Sequence, residues 1–344
     1  MSVRIAVDAM GGDRGPEEVV AGALEAARDG IEPFVVGPPD LDTHGLERVP
    51  ATDVVGMDEK PAEAVRGKPD SSLVVACRTV GEGNAQAVVS TGNTGAMLAV
   101  GLLNLRRIRG VLRPALAVVI PTRYGPSVLL DSGANADARA EHLLQFGEMG
   151  AVFAEEILGL PNPEVRLLSI GEEPEKGNQL TLEAHQLLGS SDLNFAGNTE
   201  SRHLLARAAD VVVADGFTGN VCLKLLEGTI KAVLDALREE IASTPRGKLG
   251  GALIRPAARA LRARLDPETY GGAYLLGLRG LAVKAHGNSS RRAIANAIRL
   301  AARGVEHDVV GRLQARLSDE SEETKALAGG ARQGGRAGSA RAPG

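Results

Sequence analysis

The sequence predicts an α/β protein of three layers, with a largely parallel sheet held between helices. Three observations lead there. Short apolar runs of strand length alternate with stretches of helix length, the pattern of βαβ units. The runs end in loops of small residues, Asn, Asp and Gly. Apolar residues make up 44% of the 344, yet aromatics only 2%, with no Trp. A core of Ala, Val, Leu and Ile suits short parallel strands buried under helices.

Val3–Val7 is the first such run, and it ends in Asp8-Ala9-Met10-Gly11-Gly12-Asp13. A helix is predicted from Pro16 to Arg28, a strand over Phe34–Val36 and a helix over Ser71–Thr79. Ala87–Val89 reads as a strand entering Ser90-Thr91-Gly92-Asn93-Thr94-Gly95, with a helix following to about Leu105. Ala115–Ile120 and Val128–Leu130 flank a turn signal at 122–126 and read as a hairpin within the sheet. The second of these ends in Asp131-Ser132-Gly133-Ala134-Asn135 and precedes a helix from Ala138 to Leu158. Val165–Ile170 ends in a polar loop holding Lys176. Val211–Ala214 ends in Asp215-Gly216-Phe217-Thr218-Gly219-Asn220 and leads into a long helix to about Ile241. No internal repeat is visible. Residues 1–317 are expected to form one domain, from which a helical hairpin at about 220–265 protrudes. The Gly-, Ala-, Arg- and Ser-rich tail at 318–344 is expected to be disordered.

The formal net charge of −4 argues against nucleic-acid binding, which calls for a basic face. Cys77 and Cys222 stand alone, so no zinc site is expected, and two buried thiols are. The first residues run directly into a strand without a signal peptide, and no apolar run approaches the ~18 residues that span a bilayer. A cytoplasmic protein is therefore expected.

In open α/β sheets ligands bind beyond the carboxyl ends of strands. Five strand ends here carry the same kind of loop, and glycine lets backbone approach a ligand closely. Free N–H groups at a following helix N-terminus favour an anion. Ser90–Gly95 fits best, with hydroxyls at Ser90, Thr91 and Thr94 and an amide at Asn93. Ordinary turns and helix caps would look the same for any one loop. Lys176, Lys224 on the helix after Asp215, and His286 add charge. A solvated lysine or a structural histidine is the plainer reading of each.

Nucleotide motifs fail. Gly81-Glu82-Gly83 lacks the third glycine and precedes a strand, and Gly247-Lys248 has Leu249 next and no opening glycine. There is no GxSxG elbow and no HExxH. The residues alone thus indicate an anion site at the sheet's carboxyl edge, with direct attack by a small bound nucleophile more plausible than covalent catalysis.

One further segment stands out. Leu249, Leu253, Ala257, Leu261 and Leu265 recur every fourth residue and form one apolar helix face. Lys248, Arg255, Arg259 and Arg262 fall opposite, and 243–265 holds no acidic residue. That pattern suits an anionic membrane surface, or an acidic carrier protein. Packing within a dimer or core is the alternative. Pro256 should kink or restart the helix, and Arg264 falls on the apolar side.

The motifs Asp8–Asp13, Ser90–Ala96, Asp215–Asn220, Tyr270-Gly271-Gly272-Ala273 and Lys284-Ala285-His286-Gly287 occur in that order. Together they resemble the PlsX-type phosphate acyltransferases of bacterial phospholipid synthesis, from residue 3 to about 310. The resemblance implies reversible transfer of a fatty acyl group from acyl carrier protein to inorganic phosphate, and a homodimer. It implies a fold related to isopropylmalate dehydrogenase and phosphotransacetylase, and no metal or organic cofactor. A membrane glycerol-3-phosphate acyltransferase would use the product, which places the protein at the inner face of the cell membrane. On this reading Gly11, Gly12 and Ser90–Gly95 hold phosphate, with Asn135 and His286 as further substrate contacts. Lys176 and Lys224 offset its charge, Asp215 orients groups and Asn220 donates to the oxyanion. Leu249, Leu253, Arg255, Ala257, Arg259, Leu261 and Arg262 meet membrane or carrier. The rivals are a metal- and NAD-dependent decarboxylating dehydrogenase of the related fold, and a phospholipid-responsive binding protein without turnover.

Overall fold

A computed structural model describes residues 2–122 and 124–317. The expected tail at 318–344 lies outside the described residues. The chain begins with β1 (Arg4–Asp8), α1 (Pro16–Ala27), β2 (Glu32–Gly37), β3 (Arg48–Pro50), α2 (Pro61–Gly67), α3 (Ser72–Gly81), β4 (Ala87–Ser90) and α4 (Thr94–Asn104). The hairpin β5 (Ala115–Thr122) and β6 (Gly125–Leu130) follows, then α5 (Ala140–Leu158), β7 (Val165–Ser169), α6 (Gln179–Gly189), β8 (Phe195–Glu200) and β9 (Val211–Val213). α7 (Gly216–Ser243), α8 (Pro245–Leu265), β10 (Ala273–Leu276), β11 (Leu281–Lys284) and α9 (Arg291–Glu306) complete the order.

Among the described residues the strands join in one sheet, in the order β3-β2-β1-β4-β11-β10-β5-β6-β9-β7-β8. The sheet is mixed and largely parallel. The predicted hairpin is antiparallel, with Thr122 opposite Gly125. β10 is antiparallel to both β5 and β11. The remaining pairs are parallel. β1–β5 and β11 therefore run one way, and β6–β10 the other.

This corrects the expectation that the loops meet at a single carboxyl edge. The β5–β6 hairpin reverses the chain, so loops 8–13, 90–95 and 284–287 leave one end of the strands. Loops 131–135, 170–178 and 214–220 leave the other.

Alternation along the strands builds the layers. Ile5 and Val7 of β1, and Ala115, Ala117 and Val119 of β5, face a core shared with α1, α5 and α9. Ala6 and Leu116 face a second core, under α3 and α4. Ile120, Leu129, Val212 and Leu223 form a third cluster, under α7. The second and third cores share one side of the sheet, and the cleft described below lies between them.

α7 and α8 differ from the other long helices. α7 buries only Gly216, Gly219 and Leu223, and α8 buries nothing. α8 runs through Pro256 without the expected break. Pro256 and Ala252 are both exposed, so water can satisfy the carbonyl that the proline ring leaves unbonded.

Candidate active site

The loop after β1 and the loop after β4 are tied together by a buried carboxylate. Asp8 Oδ1 accepts from Ser72 Oγ at 2.5 Å and from Met10 N at 3.1 Å. Its Oδ2 accepts from Ser90 Oγ at 2.6 Å, and Ser90 Oγ accepts from Gly92 N at 2.9 Å. The loops then pack backbone to backbone. A Cβ on Gly11 would lie 2.7 Å from Gly92 Cα, and one on Gly12 would lie 2.5 Å from Thr91 Oγ1. No side chain fits at either position, because the neighbouring loop already occupies the space. Asp13 N donates to Gly287 O at 2.8 Å, which joins the loop after β11 to the same group.

On the other side of the sheet's seam, Asp131 organises the loop after β6. Its Oδ1 accepts from Leu116 N, Gly133 N and Ala134 N, and its Oδ2 from Asn135 N and Nδ2. Burial pushes its carboxyl above the ordinary range, against the pull of these hydrogen bonds. α7 starts beside this loop. A Cβ on Gly219 would come within 2.0 Å of Asp131 O, so glycine is required for the helix to approach. Asp215 caps α7, accepting from Thr218 N at 2.9 Å.

Between these two assemblies lies a cleft of about 840 Å³ over one face of β5, β10 and β11. Leu116, Val118 and Ile120 of β5 line it beside Leu223, Leu226 and Ile230 of α7 and Leu265 of α8. Its polar lining includes Asp13, Thr94, Ser132, Asn220, Lys224 and Lys284. His286 Nε2 meets Glu227 Oε1 at 3.2 Å, so the loop after β11 touches α7 across the opening.

Lys284 has the most perturbed charge in the cleft. Its ammonium donates to Thr91 O at 3.4 Å and closely to Ala285 O. Loss of solvent lowers its pKa from 10.5 to about 8; Asp8 and Asp13 pull it back up, and Lys224 adds to the lowering. Beside it, Thr91 Oγ1 is buried and has no hydrogen-bond partner.

Of the residues predicted from sequence, Thr94, Asn220, Lys224 and His286 line the cleft. Gly11, Gly12, Ser90, Thr91 and Gly92 form the packed loops behind it. Ser90 is engaged with Asp8. Asn93 caps α4 through Ala96 N and donates to Met57 O, and Gly95 packs against Pro61. The amide of Asn135 is committed to Asp131 and Pro114 O, so it braces the loop and is not free for substrate. Lys176 does not join the group. It is exposed on the loop after β7, which is three strands from β5 and so ~14 Å along the sheet. Leu249, Leu253, Arg255, Ala257, Arg259, Leu261 and Arg262 are exposed along α8. Sequence reasoning did not select Lys284, Asp13, Ser132, Glu227 or Glu268. A lysine closing the apolar run Leu281-Ala282-Val283 was the available signal for Lys284.

A cleft with a cationic, amide-bearing end and an apolar wall is the layout of an α/β enzyme that joins a small anion to an apolar group. The comparisons name the family. The model of the family described as fatty acid synthesis protein matches residues 3–312, and the chain belongs to that family. It is 45% identical to a phosphate acyltransferase of Heliobacterium modesticaldum over 93% of this chain and 99% of that one. It is 48% identical to one of Desulfitobacterium hafniense over 92% and 98%. These findings bear out the resemblance read from the motifs. A solved phosphotransacetylase of Streptococcus pyogenes shares the fold, with a TM-score of 0.58 at 18% identity over 89% of this chain and 94% of that one. Among the described residues no helix is long and apolar enough to cross a membrane.

Proposed function

We propose that this protein moves a fatty acyl group from the thioester of an acyl carrier protein to inorganic phosphate, releasing acyl phosphate for a membrane glycerol-3-phosphate acyltransferase. Acyl transfer to phosphate follows from the family and its phosphate acyltransferase members, which do not favour the dehydrogenase reading. The observation that carries the proposal is the pairing, in one cleft, of a cationic end at Lys224 and Lys284 with an apolar wall from β5 and α7.

The wall accepts the acyl chain, and the cationic end accepts phosphate. A phosphate oxygen attacks the thioester carbonyl carbon. The new C–O bond forms, the C–S bond breaks, and the carrier leaves as the thiol with the proton that hydrogen phosphate gives up. The side-chain amide of Asn220 donates to the tetrahedral oxyanion. Asp215 and Asp131 orient Asn220 by fixing the start of α7. Lys224 and Lys284 take the charge role that the sequence gave to Lys176. The apolar wall and bound chain exclude water that would hydrolyse the thioester.

α7 and α8 are proposed to form a hairpin standing off the sheet. The apolar face of α8 would meet the inner face of the cell membrane, and its basic face anionic headgroups or the acidic carrier. Leu249 and Leu253 support this, being 69% and 77% exposed in the chain alone. A homodimer is proposed on the resemblance.

The test is to incubate the protein with acyl carrier-protein thioester and phosphate and to trap product with hydroxylamine. Phosphate-dependent hydroxamate is expected. Intact thioester with no hydroxamate would overturn the reading.

A further inference from the structure

We infer that Lys284 and the hydroxyl of Thr91 are the direct phosphate ligands of the cleft, a role that neither the loop motifs nor the family assignment gives them. The inference rests on the phosphate-transfer reading above.

Three observations meet at one place. The first is a cation without a counter-ion. The Lys284 ammonium reaches only the carbonyls of Thr91 and Ala285, and among the described residues no carboxylate lies within ion-pair distance of it. An ammonium removed from water normally has an anionic partner, because its charged form is otherwise disfavoured. The nearby acids are otherwise placed. Asp8 is held by Ser72, Ser90 and Met10 N, and Asp13 lies against Gly287. Glu227 pairs with His286, and Glu268 accepts from Ser290 Oγ.

The second is the Thr91 hydroxyl. It is buried, has no partner and belongs to the residue whose carbonyl Lys284 touches. A buried polar group left unpaired costs free energy, so its persistence points to a partner that comes and goes.

The third is position. Lys284 closes β11 in register with Ser90 of β4 and Ala273 of β10. It therefore stands where the β4 loop opens onto the cleft, with Thr94 and Lys224 also in the lining. A tetrahedral dianion there would give Lys284 its counter-ion and Thr91 its acceptor together.

The Lys284 ammonium, near 8, makes the subsite sensitive to pH. Facing it are Asp8 of β1, Asp13 of the following loop, Lys224 and Glu227 of α7 and His286 of its own loop. Phosphate affinity is expected to fall as pH rises through about 8, as the amine loses its charge.

The experiment compares wild type with Lys284→Met and Thr91→Val, both close in shape to the original residue. Each is titrated with inorganic phosphate by calorimetry, and steady-state rates are measured with phosphate and thioester varied separately. Lys284→Met is expected to weaken phosphate binding, and raise its KM, by about 10- to 100-fold. Thr91→Val is expected to weaken it by about 3- to 10-fold while its thermal midpoint holds or rises, since the lost hydroxyl had no partner. The thioester KM is expected to hold in both. Unchanged phosphate binding in Lys284→Met overturns the inference and leaves acyl phosphate formation standing. A shift in thioester KM alone also overturns it, because the anion held would then belong to the carrier's prosthetic group. Should wild type form no acyl phosphate, the functional reading fails, and calorimetry with phosphate still decides the subsite.

Discussion

At the scale of residues, the site depends on polar groups whose partners are far off in sequence. Ser90 looks like a ligand because it opens a Gly-rich loop. In the fold its hydroxyl bridges Asp8, 82 positions away, to Gly92 N. Asn135 and Asn93 are likewise turned to structural work. Lys284 was legible only as a member of a motif, because its lack of a counter-ion is a property of the assembled site. It carries a prediction of its own. Below pH 8 folded and unfolded chains both hold the proton, and the fold bears the full cost of shielding the charge from water. Between about 8 and 10.5 the unfolded chain binds more protons, so stability from this group rises with pH. In phosphate-free buffer, Lys284→Met should therefore melt several degrees above wild type at pH 7, with the gap narrowing above pH 8. Equal midpoints at pH 7 would count against a shielded ammonium.

At the scale of elements, α7 does two jobs. Its first turn sits on the Asp131 loop, and its next three turns present Asn220, Leu223, Lys224, Glu227, Ile230 and Lys231 to the cleft at helical spacing. One helix thus links the reacting end to the acyl wall. Ile230→Trp should shift preference from long-chain to medium-chain thioesters by about tenfold in kcat/KM. An unchanged ratio would place the chain elsewhere. Most strands and helices were legible because their apolar runs and turn residues are local signals, and the β5–β6 hairpin announced itself through its turn. The four-residue strands β10 and β11 were not read as strands, since so short a run says little about where it pairs. The opposed directions of the two halves were also beyond reach, because direction is set by long-range pairing. That is why Lys176 was expected in a site from which its strand is remote.

At the scale of the whole molecule, apolar surface is concentrated on two helices. Phe217, Val221, Leu225, Val233 and Leu237 of α7 and Leu249, Leu253 and Ile254 of α8 are all exposed in the isolated chain. Patches of this kind on an otherwise well-buried fold mark interaction surfaces. With a net charge of −4, the run of basic residues on α8 is a local feature and not a reflection of overall charge. Flotation with anionic vesicles should recover the wild type with lipid, and Leu253→Glu should lower the bound fraction several-fold. Equal recovery of the two would remove the membrane contact from the proposal.

The place of β11 has a consequence for the order of events during synthesis. β11 is the last strand along the described chain, yet it lies mid-sheet, hydrogen-bonded to β4 on one side and β10 on the other. Until it emerges from the ribosome, the edge of β4 has no neighbour on that side, and two partial sheets wait unjoined. Its arrival links strands made some 200 residues apart and sets Lys284 against the Thr91 loop in the same event. A nascent chain therefore has no finished phosphate subsite to expose while it is still a fragment.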